Sequence, residues 1–217
     1  MAHQHPLHVS LFFASTTRAF MHALDSIRIV EEQVLSNDWY RLKKTTFELR
    51  RRDGTWQRQS RETYDRGNGA TILLYNAAQG TVVLTQQFRF PTYVNGNASG
   101  QLIETCAGLL DQDDPATCIR REVEEETGFR IHDVRKIFEA YMSPGSVTEK
   151  VFFFVGAYTA ADKVSDGGGE HHEGEDIKVL ELPFAVALEM VADGRICDGK
   201  TILLLQYAQL QGLLEVC

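Results

Sequence analysis

The 217-residue chain predicts an α/β fold in which a mixed β-sheet is flanked by helices and preceded by an N-terminal β-hairpin region. Three observations carry this expectation. Strand-like segments outnumber helical ones, a helix with start and stop signals interrupts them at residues 115–127, and two helical segments close the chain. Apolar residues at 43% and charged residues at 24% describe a globular protein with material for a core. A net charge of −8 and a pI near 5.4 argue against nucleic-acid binding, which needs a basic footprint. No apolar run reaches the ~18–20 residues of a membrane span. Cys106, Cys118, Cys197 and Cys217 form no CxxC pair, so reduced thiols and a cytoplasmic location are expected.

In order, residues 1–21 read as an extension expected to be disordered, its His3, His5 and His8 as solvated side chains, and Met21 as an alternative start. Residues 22–66 form a β-rich region. A strand-like piece at Ile27–Leu35 leads into a strand from Trp39, which turns at Asp53-Gly54 and returns as Thr55–Tyr64. A two-stranded ribbon alone is marginally stable, so it is expected to pack on its twin in a two-fold homodimer with shared active sites.

Residues 67–217 form the main domain. Its expected strands are 70–75, 81–90, 101–107, 134–141, 151–158 and 177–182. Residues 91–100 read as a loop, and 163–176, rich in glycine and acid, as a flexible loop. Helices at 184–193 and 200–214 end the chain, the first stopped by Gly194.

The central helix holds the chemistry. Asp114 is a natural N-cap with Pro115 at the first helical position, and Gly128 ends the helix. Glu122, Glu125 and Glu126 stand at i, i+3 and i+4, on one face and about 5–6 Å apart. Carboxylates crowded in this way call for a cation, and hard oxygen ligands suit Mg²⁺ or Mn²⁺.

Arg121-Glu122-Val123, Glu125-Glu126 and Gly128-Phe129, with Gly108 ahead of them, resemble the Nudix box of pyrophosphohydrolases. The spacing from Gly108 to Arg121 is one residue shorter than usual, and Asp113 or Asp114 stands where the box has glutamate. Arg61–Ala70, Gln87–Arg89, Val94-Asn-Gly-Asn97, Tyr141–Gly145, Glu149 and Asp198–Thr201 together resemble the GDP-mannose pyrophosphatase branch, over about residues 26–211. The resemblance implies an α/β/α sandwich and metal-dependent hydrolysis of a nucleotide-sugar diphosphate, GDP-mannose giving GMP and mannose 1-phosphate.

It also implies the site. Glu122, Glu126 and the Ala107 carbonyl would hold Mg²⁺, with Mn²⁺ as the alternative, and Glu125 would assist. A loop glutamate would complete the set as base or ligand. Glu170, Glu173 and Glu175 are available, and Glu175, just before a strand, is preferred. Arg89 would meet phosphate, its fork suiting bidentate contact. Ala107, Gly108 and Leu109 would line the substrate, and Glu149 would face the sugar. Trp39 or Tyr40 would stack on the base, while Arg61 and Glu62 would reach the nucleotide from the other subunit. An ADP-ribose or ADP-sugar pyrophosphatase is the alternative of the same class. A nucleotide-sugar sensor without turnover is the other, and the three retained glutamates weigh against it.

Overall fold

Alternating apolar and polar residues from Ile27 onward give three strands, the expected hairpin together with the strand-like piece at 27–35. The computed structural model describes residues 26–170, 172 and 174–215; the extension at 1–21, His171 and Glu173 lie outside the described residues. The chain divides into two compact units. One holds the chain up to Arg66 together with Gly145–Val147, and the other holds Gly67–Pro144 and the chain from Thr148.

The first unit is an antiparallel sheet of β1 (Ile27–Asn37), β2 (Arg41–Arg50) and β3 (Trp56–Asp65), in that order. The turn after β2 is held by the Asp53 carboxylate, which accepts from the Thr55 amide at 2.9 Å and its hydroxyl at 2.6 Å. Residues 145–147 join this unit because the Tyr64 amide donates to the Ser146 carbonyl at 2.8 Å and Tyr64 bridges to Val147. Every residue of β1 is exposed, and it carries Ile27, Ile29, Val30, Val34 and Leu35.

The second unit is built on seven strands: β4 (Gly69–Asn76), β5 (Thr81–Phe88), β6 (Gln101–Glu104), β7 (Ala107–Leu109), β8 (Arg135–Tyr141), β9 (Lys150–Ala157) and β10 (Lys178–Pro183). The order is β10-β5-β4-β9-β8, with β6 on β5 and β7 on β4. β4 and β9 run parallel and the other pairs antiparallel, so the sheet is mixed. Helices α1 (Phe90–Val94), α2 (Pro115–Glu122), α3 (Phe184–Ala192) and α4 (Gly199–Leu210) complete it.

Period-two alternation divides the core between the two faces of the sheet. Leu73, Phe153 and Val155 pack with Phe184, Ala187, Leu204, Leu205 and Ala208 of α3 and α4. Ile72, Leu74 and Phe154 pack with Ile119 and Val123 of the central helix and with Phe129. The result is the expected α/β/α sandwich.

Two expectations change. The segment 91–100 is not all loop: α1 forms at its start. The strand expected at 101–107 breaks at Thr105-Cys106, where the backbone leaves β5 (Thr85 opposite Glu104) and passes to β4 (Thr71 opposite Ala107). At the break the Thr105 amide donates to the Thr201 hydroxyl at 2.7 Å, and the Cys106 carbonyl accepts from the Ile72 amide at 3.0 Å. No helix among the described residues is long and apolar enough to cross a membrane.

Phe153 is fully buried and packs on Phe138 with ring centroids 4.7 Å apart. Phe153→Ala is expected to cost about 3–5 kcal/mol, read as a lower urea midpoint with an unchanged slope.

Candidate active site

The central helix departs from α geometry where its carboxylates lie. After α2, residues Val123–Thr127 form a π turn ended by Gly128 in the left-handed region (φ 73°). Thr127 explains it: its hydroxyl donates to the Val123 carbonyl at 2.5 Å, the acceptor an α-helix would reserve for the Thr127 amide. The wider turn brings residue i+4 more nearly over residue i and swings i+3 aside. The three glutamates, expected on one face, are thereby separated. Glu126 is 2% exposed, whereas Glu122 and Glu125 are partly buried.

Arg121 gathers the outer two, at 2.9 Å from the Glu122 carboxylate and 2.9 Å from that of Glu125. Of the two aspartates in the shortened box, Asp113 faces Arg121 at 3.8 Å. Asp114 caps the helix, accepting from the Ala116 and Thr117 amides at 3.0 and 3.2 Å.

Gly108 acts through space rather than through φ. A Cβ on it would stand 2.1 Å from the Glu122 carboxyl carbon, so only glycine lets that carboxylate lie against β7. On the neighbouring strand, a Cβ on Gly69 would be 3.2 Å from the Gly108 carbonyl and 3.6 Å from a Glu149 carboxylate oxygen, which places Glu149 beside the same stretch. Ala107, Gly108 and Leu109, each half-buried, are the whole of β7.

The expected flexible loop is in fact docked on the helix end. Amides of Gly168 and Gly169 donate to the Glu126 and Glu125 carbonyls at 3.0 and 3.1 Å, and Val164 to Gly128 at 2.8 Å, satisfying carbonyls the helix leaves unpaired. The approach is backbone on backbone: a Cβ on Gly128 would lie 2.1 Å from the Ser165 carbonyl oxygen. Glu175 turns inward, its carboxylate accepting from the Glu170 amide at 2.9 Å.

Glu126 is the centre of the electrostatics. One of its carboxylate oxygens, Oε2, is buried with no hydrogen-bond partner. Burial, and then the charges of Glu122 and Glu175, push its pKa up to about 8 against a hydrogen bond from the Cys106 thiol and the charge of Arg89. An orphaned buried carboxylate oxygen with two further carboxylates in Coulombic reach is a donor set that fits a hard divalent cation. Among the described residues, no three such groups already surround a common point.

Arg89 does not hang free for phosphate. Its Nε donates to Glu104 at 2.6 Å and its Nη2 at 3.4 Å, and the side chain is 38% exposed. Lys200 also pairs with Glu104 and lies 3.1 Å from Asp198. Sequence reasoning missed Glu104 and the thiol of Cys106, which it read as a core filler, and it marked Asp198–Thr201 only as part of the resemblance, with no role for Asp198 or Lys200. The available signal was Glu104, a charge in an otherwise apolar strand.

Trp39, Arg61 and Glu62 belong to the first unit. Trp39 is 81% exposed and stacks edge-on with Tyr40, and Arg61 is tied to the Ser60 carbonyl and Gln59 at 2.8 Å each. Glu62 is exposed, opposite Lys44 on β2.

A mixed α/β sandwich carrying a glutamate-rich helix against a glycine strand has known counterparts. The NUDIX domain matches residues 65–204, and the GDP-mannose pyrophosphatase NudK N-terminal domain matches residues 26–64. The chain belongs to the Nudix family. It is 61% identical over 184 residues to a GDP-mannose pyrophosphatase of Yersinia pestis, covering 85% of this chain and 92% of that one. Proteins of the same name from Yersinia enterocolitica (59% identity; 87% and 98% covered) and Klebsiella pneumoniae (56%; 88% and 95%) are similar to it as well. The crystal structure of an ADP compounds hydrolase shares the fold at TM-score 0.63 and 17% identity, over 86% of this chain and 96% of that one.

The raised Glu126 makes stability without metal depend on pH. Its folded pKa of about 8 exceeds the ordinary 4.5, so its contribution is fully present below pH 4.5 and is lost as pH rises through 8. Melting temperatures of chelator-treated protein across that window are expected to fall more steeply for the wild type than for Glu126→Gln.

Proposed function

We propose that this chain hydrolyses the diphosphate bond of GDP-mannose, releasing GMP and mannose 1-phosphate, with Mg²⁺ or Mn²⁺ held by Glu122, Glu126, Glu175 and the Ala107 carbonyl. The unpartnered oxygen of Glu126 carries the reading. A buried carboxylate of raised pKa is costly to maintain, and a cation is what would repay it by fixing the charged form. The bound cation would supply a nucleophilic water at neutral pH and neutralise phosphate charge.

The chain's own groups do the rest. Glu122 lies against β7 because Gly108 has no side chain. Glu175, oriented by the Glu170 amide, is placed to hold or take a proton. Glu125, paired to Arg121, keeps that cation next to Glu122. Arg89 turns its exposed edge to phosphate, and Glu149, beside Gly69 and Gly108, faces the sugar.

The choice of base and sugar is supported by relatives 56–61% identical that are named GDP-mannose pyrophosphatase. Guanine presents N1–H and amino donors that a carboxylate such as Glu62 can accept, and adenine lacks that pair. Hydrolysis of a nucleotide-sugar panel, with products identified, is expected to show GDP-mannose preferred over ADP-ribose in kcat/KM. Glu62→Ala should narrow that preference, and ADP-ribose being preferred would overturn this choice of substrate.

The same reading has Trp39 or Tyr40 stack on the base, while Arg61 and Glu62 reach the nucleotide of the other subunit in a cytoplasmic homodimer. β1, an edge strand with five exposed aliphatic residues, is its support. A solution mass of twice 24.5 kDa is expected. A fully active monomer at micromolar concentration would overturn the dimer.

A further inference from the structure

Glu104 presents a problem that the reaction does not explain. It is a carboxylate only 2% exposed, on the last residue of β6, and it takes two cations, Arg89 and Lys200. Buried ion pairs of this kind are weak stabilisers, because desolvation offsets most of the attraction. Lys200 is anchored in turn: Asp198 receives it at 3.1 Å while capping α4 through the Thr201 amide and hydroxyl at 3.0 and 2.6 Å.

Across from this group stands Glu126, with its buried Oε2 unpartnered. Arg89 and Glu126 lie within Coulombic reach of each other. A guanidinium so near an unsatisfied buried carboxylate would close on it, since charge-assisted pairs are the strong ones. Instead its Nε and Nη2 donate to Glu104, which sets the direction of the guanidinium.

We propose that Glu104 is a positioning residue: it holds the Arg89 guanidinium off Glu126 and so keeps that carboxylate open for a divalent cation. The inference rests on Glu126 being a cation ligand. Lys200 and Asp198 complete the device. Lys200 keeps Glu104 ionised, and the cap on α4 fixes where Lys200 stands. Without Glu104, the carboxylates left in Coulombic reach of Arg89 are Glu126 and Asp198. Asp198 is already taken by Lys200 and by the cap on α4, so Glu126 is the open acceptor, and occupying it shuts the cation out.

The test titrates Mn²⁺ alone into metal-free protein and reads free Mn²⁺ by electron paramagnetic resonance, with no nucleotide present. Glu104→Gln is expected to weaken Mn²⁺ binding roughly tenfold to a hundredfold, the scale of one charge-assisted contact with the ligand. Adding Arg89→Met should restore affinity to within about threefold of Arg89→Met alone, since the competitor is then gone. A purely structural Glu104 would lower the melting temperature of both variants and leave Mn²⁺ affinity where it was. Folded Glu104→Gln protein binding as tightly as wild type overturns the inference, as does a double variant no better than the single. Should Glu104→Gln fail to fold, Glu104→Asp withdraws the acceptor from Arg89 while keeping the charge for Lys200. It is expected to weaken Mn²⁺ binding in the same direction, and unchanged affinity again overturns the inference. Absence of Mn²⁺ binding by the wild type would overturn the cation reading itself, and this inference with it.

Discussion

Among the described residues of the second unit, the Glu126 carboxylate oxygen Oε2 is buried without a hydrogen-bond partner, which is costly unless something compensates it. The core beneath it is ordinary: Ile119 and Val123 seat the helix on Ile72, Leu74 and Phe154 as any amphipathic helix would be seated. What is not ordinary is the turn above. The Thr127 hydroxyl takes a carbonyl from the helical ladder, the turn widens, and Glu126 is rotated inward while Glu125 goes out to Arg121.

Backbone contact, more than side-chain contact, fixes the surroundings. Gly108 admits the Glu122 carboxylate to β7, and Gly128 admits the carbonyl of Ser165. Both are close approaches that any side chain would forbid. They explain why glycines bracket the helix, one on the strand before it and one at its end.

The sequence made the architecture legible wherever periodicity was strong. The β4, β5 and β9 runs, the helix caps at Asp114 and Gly128, and the closing pair of helices fell where pattern and punctuation put them. It misled where tertiary partners decide. The π turn comes from one threonine hydroxyl choosing a carbonyl, which i, i+3, i+4 spacing cannot reveal. The strand expected through Cys106 breaks because Thr201, 96 positions away, takes the Thr105 amide. Glutamates in the box were visible as a motif, yet which of them is buried was not. The network of Glu104, Lys200 and Asp198 joins residues far apart in sequence; Asp198–Thr201 was marked by resemblance, but nothing in the sequence tied it to Glu104.

The glycine-rich segment shows how a loop of weak composition can still place a residue. Its composition argues for mobility, although Lys163 at its start donates to the Thr127 carbonyl at 2.8 Å. Further anchoring uses amides of Val164, Gly168 and Gly169 against carbonyls that the helix end must satisfy in any case. The Glu170 amide then holds the Glu175 carboxylate, and Ile177 returns to the core. Main-chain geometry within the second unit thus sets where the Glu175 carboxylate stands.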